Sequence, residues 1–384
     1  MKILIALTYY RPHYSGLTIH AEREATALAK RGHHVTVLTS RFSKALPFRE
    51  LRDGVQIVRP RVLMHISKGV VMPTMALWGA RLARQSDVVH LHLPQLDAAP
   101  IALACRLMGI PLVATYHCDM LLPPSMVNGL ANQASNLANH IAGRLAKTLV
   151  HNTRDYAENS IFLKHYLPKV YPILPPVEVS PSSADDLAAL RARYDVQPGQ
   201  RIIGMAGRLA SEKGAEFLIE AMPQVLEKFP TAHVLYAGEY QNVFGEQRYA
   251  QSLAPMLKKL NGHWTFLGSL TPAQQTAFYR LCEVTVLPSI NSTESYGLVQ
   301  VESMACGTPV IASELPGVRV PVQMTGMGRL APPANASALA EALIDVLDHP
   351  EKYRQSPDDL VYRSTPAYVA AEYEKVFELA RGRA

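Results

Sequence analysis

Cysteine is scarce in this sequence, and long apolar runs are missing. The 384 residues include four cysteines, none in a CxxC pair or at another metal-ligand spacing, so we expect small buried thiols in a reducing compartment. No run of about 20 apolar residues is present, so no membrane-spanning helix is predicted. The apolar stretch at residues 3–7 is shorter than the core of a secretory signal peptide. These absences predict a cytoplasmic protein.

Several motifs that would define a catalytic or metal centre are absent as well. The chain has no DxD triplet, no HExxH and no His/Cys cluster, so no metal site is expected, and it also lacks GxSxG and a P-loop. Hydrophobic residues make up 48%, which excludes a disordered chain. Lys and Arg total 38 against 32 Asp and Glu, a formal charge of +6. This excess favours a phosphorylated small molecule or an anionic membrane as partner, whereas the short basic runs argue against nucleic acid.

Short β-branched or leucine-rich runs alternate with helix-length segments along most of the chain. Strands are predicted at residues 2–8, 34–40, 55–58, 87–92, 111–117, 147–151 and 169–173, and again at 201–205, 233–237, 263–267, 283–287 and 309–312. Near-continuous apolar strands that alternate with helices indicate parallel sheets covered on both faces. A Pro/Ser-rich stretch at residues 171–183 interrupts the pattern and predicts an interdomain linker.

The predicted fold class is therefore α/β, with two doubly wound, Rossmann-like domains at residues 1–178 and 179–365. Ligands of open α/β sheets bind beyond the carboxyl ends of the strands. We therefore expect the two domains to face a cleft that holds the chemistry.

The segment from Glu294 to Glu302 carries the strongest functional signal. It joins a predicted strand to a helix that begins near Gly297, and the unpaired N–H groups of a helix N-terminus suit a phosphate. Glu294 precedes the helix and Glu302 lies about one turn inside it. We interpret the two carboxylates as acceptors for hydroxyl groups on either side of a pyrophosphate. The alternative is a capped surface helix with two solvated glutamates.

A second strand-loop-helix segment contains two cations. Arg208 follows a predicted strand and Lys213 precedes the next helix, so a forked guanidinium and a compact ammonium could clamp a diphosphate. The glycines at 204 and 207 do not complete GxGxxG and carry little weight. The competing interpretation is an exposed basic turn.

Two positions in the first half are weaker candidates. Gly16 lies in the first βα turn, where a close backbone approach to a ligand is useful, although many such turns contain glycine for conformational reasons. His117 ends a predicted strand and fits a substrate contact and a structural histidine equally well. The remaining histidines of interest are assigned structural roles: His13, His20, His90, His92 and His151.

Together these motifs resemble those of retaining glycosyltransferases of family four, which have the GT-B fold. Glu294 and Glu302 match that family's E-x7-E pattern, and residues 207–209 with 212–214 match its donor-diphosphate motif. Phe266-Leu267-Gly268 resembles the segment near the nucleotide base, and His117 stands where the family has its acceptor-side histidine. The resemblance covers nearly the whole chain.

The resemblance also implies roles for the matching residues. The implied donor-binding set is Gly16, Gly207, Arg208, Lys213, Gly268, Glu294, Tyr296, Gly297, Leu298 and Glu302. The implied catalytic set is His117, Glu294, Arg208 and Lys213. Within these sets, Glu302 would hold the ribose and Glu294 the transferred sugar, while backbone N–H groups at 297 and 298 would meet the diphosphate. The C-terminal helix at 366–384 would return to pack on the first, acceptor-side domain.

The chain departs from the family pattern at two places. Ser15 stands where the family commonly has a glycine, which bears on how closely that loop approaches a ligand. Residues 316–320 lack the usual acidic residue and include an additional cation, Arg319.

The predicted function is transfer of a hexose from a nucleotide diphosphate sugar, preferably UDP-linked, to a hydroxyl of a lipid or glycan acceptor, with retention. The cations and the helix would stabilise the departing diphosphate, so no cofactor and no metal ion are expected to be required. Two alternatives stay open. An NAD(P)-dependent oxidoreductase would need the complete GxGxxG that residues 8–16 lack, and a non-catalytic nucleotide-sugar-binding protein would share the donor motifs.

Residues 62–83 raise the question of a membrane. They mix apolar residues such as Leu63 and Trp78 with the cations Lys68 and Arg81. This composition predicts either an amphipathic surface that binds an anionic membrane, with a peripheral location on its inner face, or a core helix with a basic solvent face.

Overall fold

The computed structural model of the chain describes residues 1–66, 69–120 and 126–382. Two compact units are present: the first contains Met1–Pro176 and the C-terminal segment from Arg363, and the second is Val177–Tyr362. Lys68, one of the cations considered for membrane contact, lies outside the described residues. Each unit is built on a predominantly parallel sheet with helices, so the predicted class of two Rossmann-like α/β domains is confirmed.

An eight-stranded sheet forms the centre of the first unit. The strands of this unit are β1 (Lys2–Ala6), β2 (His34–Leu38), β3 (Arg49–Arg52), β4 (Val55–Val58), β5 (Met64–Ile66), β6 (Gly69–Val71), β7 (Val88–Leu93), β8 (Leu112–Tyr116), β9 (Thr148–His151) and β10 (Val170–Pro172). Its helices begin with α1 (Gly16–Lys30), α2 (Met75–Ala83), α3 (Ala98–Met108), α4 (Met126–Leu145) and α5 (Arg154–Asn159). The strand order is β10-β9-β8-β7-β1-β2-β4-β3, and the pairing is parallel except between β3 and β4.

A six-stranded parallel sheet forms the centre of the second unit. Its strands are β11 (Arg201–Ala206), β12 (Ala232–Ala237), β13 (Trp264–Gly268), β14 (Val284–Leu287), β15 (Val310–Ser313) and β16 (Gly328–Ala331). The helices that follow in the chain are α6 (Ala184–Arg193), α7 (Ala215–Lys228), α8 (Gln247–Lys259), α9 (Pro272–Leu281), α10 (Leu298–Ala305), α11 (Val320–Thr325), α12 (Ala336–Asp348), α13 (Pro350–Tyr353), α14 (Asp358–Arg363) and α15 (Pro366–Ala380). The strand order is β13-β12-β11-β14-β15-β16.

The side chains of β1 show how the first sheet separates two cores. Ile3 and Ile5 enter an apolar cluster on one face, whereas Leu4 and Ala6 enter a cluster on the opposite face, as the two-residue period of a strand requires. All four are essentially inaccessible to solvent. Complete burial of a leucine or isoleucine stabilises the fold by about 1.5–3 kcal/mol, so both faces of this strand contribute to stability.

Helix α15 belongs to the first unit although it is the last helix of the chain. It packs against α1, and its Val369, Tyr373 and Phe377 join Ile3 and Ile5 in one apolar cluster. The C-terminal helix thus completes the face of the sheet that α1 covers.

Some local features differ from the pattern predicted by the sequence. Strand β16 was not predicted, because Gly328–Ala331 is short and contains an arginine. Residues 62–83 do not form the single core helix that was one of the two interpretations: β5 and β6 form a two-stranded antiparallel ribbon that precedes α2. Across the ranges that the structure describes, no helix has both the length and the apolar character needed to cross a bilayer.

Candidate active site

Two loops of the second unit meet at the topological switch point of its sheet, between β11 and β14. From β11 the sheet extends through β12 to β13, and β14 then forms on the other side of β11. Such a switch point leaves a crevice beyond the carboxyl ends of the two strands, and ligands of open parallel sheets bind there. Residues 207–214 follow β11 and residues 288–297 follow β14. Both predicted donor segments therefore flank this crevice.

The two loops are packed directly against each other. Gly214 has φ of +67°, and a Cβ at this position would lie 2.2 Å from the carbonyl oxygen of Pro288. The backbone N–H of Ile290 donates a 3.1 Å hydrogen bond to the carbonyl oxygen of Glu212. Because only glycine fits both this backbone angle and this spacing, Gly214 fixes one loop relative to the other.

This packing brings together two of the predicted site residues. Lys213 Nζ donates to Glu294 Oε2 over 2.5 Å, and 23% and 14% of the two side chains are exposed. Arg208 forms its ion pair with Glu212 in its own loop and is more exposed, at 42%. A cation beside a carboxylate can bind a phosphate oxygen and a sugar hydroxyl next to each other.

Three glycines line the carboxyl ends of β11, β12 and β13. Gly238 donates its N–H to the carbonyl oxygen of Gly268 over 2.9 Å, and a Cβ on Gly238 would lie 2.0 Å from the carbonyl oxygen of Gly207. A Cβ placed on Gly207 would have Lys213 Cε as its nearest neighbour, at 3.9 Å. A Cβ placed on Gly268 would have no atom within 4 Å. The predicted residues Gly207 and Gly268 therefore border open space, where a ligand can approach the backbone closely.

Helix α10 begins directly after Gly297, as predicted. Gly297 has φ of +83°, and a Cβ there would lie 2.3 Å from Leu287 Cδ2. The N-cap residue is Gly297, so it contributes no side-chain capping hydrogen bond to the helix, which starts at Leu298. The first N–H groups and the helix dipole thus remain suited to an anion.

Gln300 holds the turn before α10 in place and was not singled out from the sequence. Its fully buried side chain donates from Nε2 to the carbonyl oxygens of Tyr296 and Val318, over 2.7 and 2.9 Å. The Tyr296 side chain is itself buried, so this predicted donor residue presents its backbone to Gln300 and its ring to the interior. The signal in the sequence that could have identified Gln300 is its position, three residues after the glycine that precedes the helix.

Glu302 is held by a second residue that sequence reasoning missed. The hydroxyl of Tyr279, on α9, donates to Glu302 Oε2 over 3.0 Å. Tyr279 is buried, and desolvation followed by the charge of Glu302 raises the pKa of its hydroxyl well above the ordinary value. The hydroxyl therefore stays protonated and keeps donating to Glu302, which holds that carboxylate in one orientation.

The first unit contains the other two candidates. His117 follows β8 and is largely buried; its Nε2 lies 2.8 Å from His92 Nδ1. Burial, followed by the neighbouring His20, lowers the pKa of His117 well below its ordinary value, so the ring is neutral at pH 7. Gly16 is the first residue of α1, which is capped by Ser15, and nothing lies within 4 Å of a Cβ placed on it.

Comparisons with known proteins identify the class of protein to which these two folds and this crevice belong. The family models named Glycosyltransferase Family 4 and Glycosyl transferases group 1 match residues 14–186 and 188–358. The phosphatidyl-myo-inositol mannosyltransferase of Mycobacterium leprae is 30% identical over 299 residues, which cover 76% of this chain and 73% of that protein. The chain belongs to glycosyltransferase family four, and the resemblance noted from its motifs is confirmed.

Two further comparisons extend over more of the chain. A D-inositol 3-phosphate glycosyltransferase of Catenulispora acidiphila is 29% identical over 357 residues, covering 88% of this chain and 83% of that protein. The crystal structure of Anabaena HepE in complex with UDP-glucose superposes with a TM-score of 0.77 over 99% of this chain and 100% of that chain, at 20% identity. The structural likeness supports the GT-B fold for this enzyme.

Proposed function

We propose that this glycosyltransferase moves a hexose from a nucleotide diphosphate sugar, with UDP as the favoured nucleotide, to a hydroxyl group of a lipid or glycan acceptor, with retention at the anomeric carbon. The observation that carries the proposal is the contact between Lys213 and Glu294 at the switch point of the second sheet. It sets a cation and a hydroxyl acceptor beside the glycine-led N-terminus of α10.

The proposed mechanism depends on the negative charge that develops on the diphosphate as it leaves. The bond between the anomeric carbon and the diphosphate oxygen breaks, and its electron pair leaves with the diphosphate. Lys213, Arg208 and the N–H groups at Gly297 and Leu298 stabilise the additional negative charge. The acceptor oxygen then bonds to the anomeric carbon on the same face, and its proton passes to the departing phosphate. Glu294 holds the transferred sugar.

In this proposal one further side chain orients the nucleotide and another contacts the sugar at the reaction centre. Glu302, held by Tyr279, accepts hydrogen bonds from the ribose hydroxyls. His117 is neutral and lines the reaction centre, where its ring can hydrogen-bond to a sugar hydroxyl. We propose that no metal ion acts on the diphosphate, because side-chain cations and a helix N-terminus supply the positive charge.

The relatives guide the choice of substrates to test. The Anabaena structure contains UDP-glucose, and the M. leprae and C. acidiphila relatives are named for inositol-containing acceptors. An acceptor with an inositol or another polyol headgroup is therefore the first to examine. The oxidoreductase alternative is set aside because the chain belongs to a glycosyltransferase family.

The decisive experiment is a product assay with a panel of nucleotide sugars. UDP-glucose, UDP-galactose and GDP-mannose are incubated with phosphatidylinositol, inositol phosphate or glycan acceptors, and products are identified by mass spectrometry. We expect one donor to be consumed with transfer, and NMR coupling constants to show the same anomeric configuration in donor and product. An inverted product would contradict retention. Donor binding without transfer or hydrolysis across the panel would favour the non-catalytic alternative.

Contact with an anionic membrane is the second part of the proposal. Leu63, Met64 and Leu77 are exposed by 70%, 50% and 69%, and they lie near the cations Arg61 and Arg81 in the chain. Exposed apolar side chains next to cations suit the interface of an anionic bilayer. Vesicles of phosphatidylglycerol should co-sediment the enzyme at low salt, and phosphatidylcholine vesicles should not. Absence of binding to the anionic vesicles would refute this part.

A further inference from the structure

Four polar side chains converge in the core of the first unit, between α1 and the sheet. His20 and Glu24 lie one helical turn apart on α1, while His90 and His92 lie two residues apart on β7, so each pair projects from one face of its element. All four are at most 2% exposed. Val88 of the same strand belongs to the apolar cluster that α1 and α15 cover, which places both strand histidines on that side.

The reactive atoms of this cluster have the spacing of metal ligands. Glu24 Oε1 lies 2.8 Å from His90 Nδ1, and Oε2 lies 3.5 Å from His92 Nε2 and 3.6 Å from His20 Nε2. Glu24, His90 and His92 each offer one ligand atom, and these three atoms all lie within 4.8 Å of one another. Ligand atoms at about 2.1 Å from a tetrahedral zinc ion are roughly 3.4 Å apart. Small movements would therefore bring these atoms onto one ion.

The hydrogen bonds divide the ring nitrogens into an outer and an inner set. The outer nitrogens are paired: His90 Nε2 with Thr115 Oγ1 at 2.7 Å, and His92 Nδ1 with His117 Nε2 at 2.8 Å. The inner nitrogens, His90 Nδ1 and His92 Nε2, make no aligned hydrogen bond, and neither does either oxygen of Glu24. A metal-bound histidine typically ligates through one nitrogen and hydrogen-bonds through the other.

The charge of the cluster also favours a bound cation. Glu24 is fully buried, and a carboxylate removed from water requires a compensating positive charge. Among the ion pairs of the described residues, Glu24 pairs only with the three histidines.

We infer that Glu24, His90 and His92, with His20 as the fourth ligand, bind a divalent transition-metal ion, with zinc preferred. Three imidazole nitrogens and one carboxylate oxygen are all ligand types that zinc accepts, and four of them would complete its tetrahedral coordination. His20 Nε2 lies 3.2 Å from the hydroxyl of Tyr373, which also lies 3.0 Å from Thr115 and so keeps a partner when His20 ligates. Because the ligands are buried, the ion would enter as the unit folds.

The site would also control the tautomer of His117. When His92 Nε2 ligates a metal, its Nδ1 must carry the ring proton and donate it to His117 Nε2. The neutral His117 ring then carries its own proton on Nδ1. The ion would thus act by fixing the tautomer of His117, one of the residues proposed to act in sugar transfer.

The test begins with the metal content of the untagged chain. The chain is produced in zinc-supplemented medium, desalted, and analysed by mass spectrometry of the elements without any substrate. We expect close to one zinc per chain for the wild type and loss of most of it in Glu24→Gln. Glu22→Gln is the matched control, because Glu22 lies on the same helix but pairs with Arg11 outside the cluster; it should keep the metal.

A second measurement keeps the test independent of how well the variant folds. Wild-type protein is refolded with Co²⁺, and the expected result is the intense visible absorption of a tetrahedral cobalt centre, together with a rise in Tm relative to refolding with chelator. Less than about a tenth of an ion per chain after both treatments would overturn the proposal. Retention of wild-type metal by Glu24→Gln would overturn it as well. Neither outcome bears on sugar transfer, which is measured separately.

Discussion

Lys213 and Glu294 form an ion pair across the carboxyl ends of two neighbouring strands, with 2.5 Å between Nζ and Oε2. The two residues are brought together by the strand order, because β11 and β14 are adjacent although β12 and β13 intervene in the chain. The pair is stabilised further by the close packing of Gly214 on Pro288. A ligand at this point therefore meets a cation and a carboxylate that the backbone holds in a fixed relation.

Removal of the ammonium at 213 should impair transfer strongly. In Lys213→Ala we expect kcat to fall about 10²–10³-fold, because charge on the departing diphosphate loses a preorganised cation. The measurement is the steady-state rate with the preferred nucleotide sugar. Lys228→Ala is the control: Lys228 lies on α7 of the same unit and pairs with the exposed Asp348. Equal rates in the two variants would contradict the assignment.

Gly297 should not tolerate a side chain. In Gly297→Ala the new Cβ combines a left-handed backbone angle with a clash against Leu287, and we expect the free energy of unfolding to fall by about 1–3 kcal/mol. Gly307→Ala separates the two effects, since Gly307 has φ of +81° and open space around it. Urea unfolding of both variants gives the comparison, and a smaller loss at 297 than at 307 would show that the clash is relieved.

Tyr279→Phe should weaken nucleotide binding while the unit stays folded. The substitution removes one hydrogen bond to the Glu302 carboxylate, so we expect the Kd for UDP to rise about three- to tenfold, as for a hydrogen bond to a charged group. Isothermal titration calorimetry measures the change. Tyr249→Phe removes a comparable bond to Glu216 elsewhere in the unit and should leave the Kd unchanged. An unaffected Kd in Tyr279→Phe would mean that Glu302 does not bind the ribose.

The attachment of α15 to α1 should depend on pH through Glu374. The hydrogen bond from Arg31, followed by that from His33, holds the pKa of Glu374 below its usual range. A lowered carboxyl pKa stabilises the folded state above the unfolded-chain pKa of about 4.3, and this contribution is lost as the pH falls through the folded pKa. We expect Glu374→Gln to be up to about 1 kcal/mol less stable than wild type at neutral pH, because the pair is partly exposed.

Unfolding in urea at a series of pH values checks this expectation. The stability difference between wild type and Glu374→Gln should shrink as the pH is lowered towards about 3. Glu351→Gln, at an exposed position of the second unit, should show no such difference. If the difference in free energy of unfolding between wild type and Glu374→Gln increased at acidic pH, the lowered pKa of Glu374 would not be its cause.

Much of the second sheet could be predicted because its strands are short apolar runs bounded by loops. Strands β11 and β14 appear within about one residue of their predicted positions, and the helix after Gly297 begins where the glycine indicated. The contact between Lys213 and Glu294 followed only from the strand order, which the spacing of the residues does not specify. Strand β16 was missed because its length and polarity do not distinguish it from a loop.

The supporting residues of the site were harder to predict than the residues they support. Tyr279 reaches Glu302 from a different helix, 23 residues earlier in the chain, and no local pattern relates the two. The cluster around Glu24 is a similar case. Each of its histidines was assigned a structural role on its own, and only the packing of α1 on β7 places their nitrogens around one carboxylate.

The first unit is assembled from two stretches of chain separated by the whole of the second. Ile5 and Tyr373 share one apolar cluster, yet a ribosome working at about 5–20 residues per second needs roughly 20–70 seconds to synthesise the chain between them. Throughout that interval the surface that α15 covers stays open to other molecules, including chaperones. The N-terminal part of the first unit is therefore synthesised first but completes its fold only when α15 is available.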